Sequence, residues 1–384
     1  MKASFYQRQI AELIEKVKLG AGDEAEATSV LNANEMRDDE RRQAEIKMFE
    51  SLPQIVAHSS QLQGKGAYLV QELYGKSVLL TRGSDGKARA FLNYCKHRGT
   101  KLEQTESGCK SRFSCPYHAW TYDLQGGLVG VPRADLFPGL DKSTKSLREL
   151  RLQEAFGFLW LTMTSVEKDS EGYDINEYLG GLTDELSALD FASSSVYFDE
   201  TRHLKSDWKL PIYAFLESYH IGTLHKNSIA EFFIENIAIS EMIGPHLRSF
   251  VPRKNVMDLE SADLDQVLLP EYVTPTNILF PNACMIAHPS SYTIILMQPG
   301  DKVGECTWRH MLLVPEQPTT DAAKAHYDKT LAVLDQTTYE KEDMWASEQI
   351  QEGINAGAID ELLLAKHEQN IKHFSDLVSE RIAE

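Results

Sequence analysis

Cys95-Lys96-His97 and, after a 17-residue spacer, Cys115-Pro116-Tyr117-His118 constrain this 384-residue chain more than any other feature. Each pair offers one soft thiolate and one imidazole. A [2Fe–2S] cluster of mixed ligation takes two thiolates on one iron and two imidazoles on the other. The alternating order C-x-H…C-x-x-H lets each loop give one ligand to each iron. A zinc site accepts the same four donors, but zinc fingers keep the cysteines in one arm and the histidines in the other. Ligand order therefore favours the cluster, with Cys95, His97, Cys115 and His118 as its ligands. Gly99 permits a tight turn behind one ligand, and Pro116 stiffens the second loop.

The residues around these pairs carry a resemblance. Asn93 to Gly99 and Cys115 to Tyr122 resemble the two cluster-binding loops of Rieske non-heme iron oxygenase alpha (terminal oxygenase) subunits, in the aromatic-ring-hydroxylating dioxygenase family. The similarity continues through Asp123, Gly126-Gly127, Leu128 and Pro132. It covers most of residues 40–360 and is strongest at 90–132 and 208–225.

A Rieske cluster moves single electrons and does no substrate chemistry, so a second centre is expected. Glu217 and His220 are three residues apart on an expected helix, about 60° around it, and hence neighbours. His225 lies roughly 140° from His220 on a regular helix and cannot chelate with it. The helix must break between them, and Gly222 is the expected place. Two histidines and a carboxylate with open positions form the facial triad of Fe(II) oxygenases. An isolated pair of this kind is more often structural; the cluster motif about 100 residues upstream reverses that. His58, His203, His246, His288 and His310 lack such spacing and are expected in structural or surface roles.

Trp208-Lys209, Glu217, Tyr219-His220 and His225 resemble the mononuclear-iron segment of the same family. For the third ligand, Asp343 shares an expected helical stripe with Tyr339, Ala346, Ile350 and Ile354. A carboxylate on such a stripe needs a partner, which iron would supply. Glu340, Glu342 and Glu348 point away from the stripe and read as a solvated face. Glu342-Asp343, Glu348, Gln351 and Gly353 also resemble the family segment that gives the carboxylate. The resemblance implies that Glu217 bridges His220 to His118 of a neighbouring subunit. The family usually has aspartate there; glutamate is familiar in relatives acting on quaternary amines. Tyr213-Ala214 replaces the acidic-Asn pair often found before the bridge, so a polar group near the iron is missing.

Organisation along the chain agrees with two centres. The expected fold is α+β: a small all-β Rieske domain, then a catalytic domain with an antiparallel sheet under helices. Residues 1–50 read as helices packing on the catalytic domain, 51–165 as the Rieske domain, and 166–384 as the mononuclear-iron domain. Five scattered cysteines suggest a reducing compartment, and Cys109 reads as a spacer residue. No apolar run approaches membrane length, and the N-terminus lacks a signal-peptide core, so a cytoplasmic protein is expected. With 39 basic against 57 acidic residues, a charge of −18 argues against nucleic acid or an anionic membrane as partner.

The resemblance implies a terminal oxygenase that uses O₂ and electrons from NAD(P)H to hydroxylate an organic, expectedly aromatic, small molecule. Oxidation of a quaternary amine or N-methyl compound is the alternative. No dinucleotide fingerprint is present, so no NAD or flavin is expected in this chain and a separate reductase or ferredoxin would supply electrons. A homotrimer is implied as well. A simple electron carrier would need neither the length nor the Glu217/His220/His225 group. Tyr213, Phe232, Phe233 and Tyr292 are candidates for a cation-binding pocket, though core packing explains such aromatics more often.

Overall fold

The computed structural model describes residues 2–165 and 173–384, in two compact units. The domain boundary expected at residue 166 lies outside the described residues. One unit comprises residues 49–178 with 190–195; the other comprises 1–48, 179–189 and 196–384.

The first unit is built on a seven-stranded antiparallel sheet. Its order is Gln54–His58, Phe158–Ser165, Glu149–Ala155, Ala88–Leu92, Lys76–Arg82, Ala67–Leu73 and Ser107–Cys109. Tyr74 and Gly75 join Ala67–Leu73 to Lys76–Arg82, with φ of 52° and 72°. Two positive φ values in a two-residue loop match the right-handed twist of the strands they link. Residues Gly83 to Gly86 form a turn, with Gly86 at φ 77°. Val56, Leu62, Val78, Leu80 and Leu159 are buried together beneath this sheet. A smaller sheet of Phe113–Ser114, Thr121–Tyr122 and Leu128–Gly130 carries the second Cys–His loop at its first hairpin.

The second unit holds another seven-stranded antiparallel sheet. Its order is Ser195–Leu204, Cys306–Val314, Tyr292–Pro299, Ala283–Ala287, Val273–Leu279, His246–Pro252 and Ile239–Ile243. All seven residues of Val273–Leu279 are buried, as in a strand covered on both faces. Gln7–Leu19 docks Ile10, Leu13 and Ile14 against Phe250, Val256 and Leu259, and ends at Gly20 with φ 67°. This is the expected α+β architecture. No described helix is long and apolar enough to cross a membrane.

Two expected helices take a different form. The one expected over 210–220 stops at Tyr213, so Glu217 and His220 lie on a chain of turns. The helix expected over 339–354 is a π-helix over Leu334–Met344, continuing as an α-helix over Trp345–Asn355. Thr337 and Thr338 donate from Oγ1 to the carbonyls of Ala332 and Val333, five residues back, at 3.0 Å each. The wider turn resets the register. Tyr339, Asp343, Ser347, Gln351 and Ile354 are buried, whereas Ile350, expected on that stripe, is 41% exposed. π-turns inside helices gather at functional sites.

Candidate active site

Asp343 reaches the interior from the π-turn, and the turns after Tyr213 bring two imidazoles to it. His225 Nε2 lies 3.2 Å and His220 Nε2 3.8 Å from Asp343 Oδ1. One donor atom from each residue falls within 4.8 Å of the others, close enough for one ion. Asp343 is 3% exposed, and its Oδ1 has no hydrogen-bond partner. A buried carboxylate oxygen without a donor is costly unless a cation satisfies it. The donor set of two imidazoles and one carboxylate suits iron(II). The other ring nitrogens are held by carboxylates. Glu217 Oε1 contacts His220 Nδ1, and Glu342 Oε2 lies 2.7 Å from His225 Nδ1. Each contact fixes the tautomer that leaves Nε2 free to ligate. Burial opposes charging of His220, but Glu217 and then Asp343 outweigh it and raise its pKa.

The backbone there follows from a few contacts. Glu217 Oε2 accepts the N–H groups of Tyr219 and, at 3.3 Å, of His220, and so ties the turn that points His220 inward. Gly222 does not break a helix. It sits within Ile221–Leu224, where a Cβ would meet the Glu235 carboxylate at 2.5–2.8 Å. Upstream, Lys209 Nζ is buried between Glu45 at 2.6 Å and Asp207 at 2.9 Å. Trp208 Nε1 also donates to Glu45, at 2.8 Å. This network pins Lys209–Tyr213 just before the turns.

In the other unit the two Cys–His loops share one geometry. Cys95 accepts from Gly99 and Cys115 from Ala119, at 2.8 and 2.9 Å between backbone atoms. Gly99 and Ala119 both adopt positive φ, 77° and 55°. Both thiols are buried, with Cys95 Sγ 3.4 Å from the Tyr122 hydroxyl. Burial raises the Cys95 pKa, and the Tyr122 hydrogen bond opposes this. His97 Nδ1 and His118 Nδ1 converge to 3.1 Å. Burial, with His118 and Arg98 nearby, lowers the His97 pKa and keeps the ring in the neutral form that ligates. His97 also stacks on Trp120 at 4.7 Å and 8°. Paired thiols and paired imidazoles fit a cluster with two ligands of each kind. Cys109 is exposed and belongs to neither set.

Comparison with known proteins agrees with both centres. Residues 191–384 match the model of the ring hydroxylating alpha subunit (catalytic domain), and residues 53–141 match the Rieske [2Fe-2S] domain. The chain belongs to the ring-hydroxylating alpha subunit family. It therefore has a Rieske [2Fe–2S] domain and a mononuclear-iron catalytic domain. It is similar to the carnitine monooxygenase oxygenase subunit of Acinetobacter baumannii, 32% identical over 44% of this chain and 45% of the relative. It is also similar to the glycine betaine monooxygenase oxygenase subunit of Chromohalobacter salexigens, 28% identical over 48% and 41%. The matched segments thus span less than half the length of these relatives. The quaternary ammonium Rieske monooxygenase CntA in complex with L-carnitine has the same fold. Its TM-score is 0.77 at 20% identity, covering 94% of this chain and 96% of that one.

The three-donor cluster opens on a cavity of about 500 Å³. Phe215, Ile221 and Tyr339 line it near Glu217, His220, His225 and Asp343. Phe232 and Phe233 also line it, whereas Tyr292 does not and Tyr213 faces a second cavity beside Glu217, His220 and Asp343. Three residues of the site escape a reading of the sequence. Glu342, expected on a solvated face, is held against His225 and Ser228. His288, expected to be structural, lines the cavity, and burial lowers its pKa to about 3, with His310 and Arg253 adding to it. Arg253 lines the same cavity with no motif to mark it.

Proposed function

We propose that this chain is the terminal oxygenase of a Rieske system that hydroxylates a carbon bonded to nitrogen in a quaternary amine or N-methyl compound. Cys95, His97, Cys115 and His118 hold the cluster; His220, His225 and Asp343 hold the iron, with Glu217 as the bridge. One observation carries the reading: three donors with an orphaned carboxylate oxygen open on a cavity, and a glutamate holds the back of His220. Similarity to carnitine and glycine betaine monooxygenase subunits supports an amine over the aromatic substrate first expected.

Iron bound there activates O₂ with electrons that the cluster supplies. The residues of the chain do the rest. His220, His225 and Asp343 would hold the iron at the cavity wall, where it would supply O₂ activation beside the bound substrate. Phe215, Ile221 and Tyr339 exclude water. The reaction takes one amine, one O₂, two electrons and two protons, and gives the carbinolamine and water. The carbinolamine collapses to a carbonyl compound and a shorter amine. A separate reductase or ferredoxin delivers the electrons, and a head-to-tail trimer lets the cluster of one copy serve the iron of the next.

The test supplies a surrogate reductase, NADH and O₂ to the purified protein with N-methyl amines and, separately, simple aromatics. An aldehyde and an amine formed in step with O₂ uptake are expected. Ring diols or phenols, with every amine left intact, would overturn the amine reading.

A further inference from the structure

A buried cation needs a counter-charge, and the unit that carries the iron site supplies one to its other inward-facing cations. Arg202 pairs with Asp335, Arg248 with Glu185 and Glu241, Arg309 with Asp199, and Lys209 with Glu45 and Asp207. Arg253, half-buried, departs from this rule. Among the described residues no carboxylate forms an ion pair with it. Its guanidinium carbon stands 5.5 Å from the ring centre of Phe232 and 5.7 Å from that of Phe233. Nη1 donates to the Pro270 carbonyl at 3.3 Å. Burial lowers its pKa with no acid opposing the shift, yet a guanidinium stays charged in proteins.

The location gives this unpaired charge a meaning. Val251 faces Thr274 across two strands, and Arg253 follows two residues later on the same side of the sheet. All three line the cavity that holds the iron site. Thr274 Oγ1 and Ser291 Oγ, in the same wall, are buried without a hydrogen-bond partner. Lys329 adds a positive charge where it lines the cavity from an exposed position. A cation and two spare hydroxyls therefore share one cavity in a chain of charge −18.

We propose that Arg253 recognises a carboxylate on the substrate, so that the molecule oxidised is an N-methylated acid rather than a simple amine. This rests on the amine reading above and narrows it. A guanidinium presents a planar fork that matches a carboxylate. One Nη is already held by Pro270, so the remaining edge accommodates a single carboxylate. A substrate carrying only an ammonium group would bring a second cation toward Arg253, whose charge already occupies the faces of Phe232 and Phe233. A zwitterion neutralises Arg253 and keeps its own cation elsewhere in the cavity.

The test measures binding to the holoenzyme by calorimetry with two matched pairs of probes: γ-butyrobetaine and its methyl ester, and benzoate and methyl benzoate. Wild type should bind the acid of at least one pair ~10-fold or more tighter than its ester, and Arg253→Gln should erase that preference. Arg253→Lys, which keeps charge but loses the fork, should fall between them. Cluster absorption and iron content show that each variant is folded. An acid preference seen only with benzoate, and lost in Arg253→Gln, supports the carboxylate subsite while removing the amine reading. Acids that bind no better than esters, or that bind to no measurable extent, overturn the proposal, as does a preference that survives Arg253→Gln.

Discussion

Glu217 and Glu342 make the same kind of contact, a carboxylate on Nδ1 of a histidine whose Nε2 faces Asp343. Their expected roles differ. Glu342 also bonds Ser228 at 2.6 Å and keeps His225 from turning. Glu342→Gln should therefore weaken iron binding about 10–100-fold, measured by chelator competition; wild-type affinity would contradict this. Glu217→Gln should keep its cluster and most of its iron but oxidise the pre-reduced cluster far more slowly in a single turnover with O₂ and substrate. A wild-type rate at full iron occupancy would rule out the bridge. Glu217 was legible because its three-residue spacing to His220 brings the two side chains together in a helix and equally in the turn formed here. Glu342 was not, because its neighbour across the fold, His225, is 117 residues away. Arg253 was hidden for a like reason: only the folded sheet shows that no acid meets it.

Elements set where those residues point. An α-helical period placed Asp343 on an inward stripe, and the aspartate is buried, but the stripe continues through Ser347 and Gln351 instead of Ile350. The π-helix over Leu334–Met344 leads into that stretch, and no glycine or proline there announces it. The antiparallel sheets expected of the all-β domain and of the catalytic domain are both present. Two substitutions test the supports. Lys209→Met leaves the buried carboxylates of Glu45 and Asp207 without their shared cation and should cost about 3–5 kcal/mol in urea unfolding; an unchanged midpoint would contradict this. Gly99→Ala meets no atom within 4 Å and suffers only from its positive φ. It should lower the stability of the cluster loop by about 1–2 kcal/mol, seen as earlier thermal bleaching of the cluster.

At the scale of the whole molecule, the two centres and the α+β plan were legible because short motifs carry their chemistry with them. The cavity beside the three donors was not, since Arg253, Thr274, His288 and Ser291 meet only once the chain has folded. The same folding gives the catalytic unit an acid-sensitive interior. Burial first, with other effects, lowers the pKa of His288 to about 3 and also lowers that of His310. Unfolded, both titrate near 6.5. Their contribution is whole above that pH and is lost as pH falls toward the folded values, at up to about 1.4 kcal/mol per pH unit for each. His288→Gln should make the fall in urea midpoint between pH 7 and 5 shallower; an unchanged slope would contradict it. The proposed division of ligands between two iron centres is open to direct measurement. Iron analysis of the purified protein beside His220→Ala, with the visible spectrum of each, measures that division. Three irons per chain are expected in the wild type, and two in His220→Ala with the cluster absorption intact. Loss of the cluster absorption in His220→Ala, or retention of the third iron, would contradict the assignment.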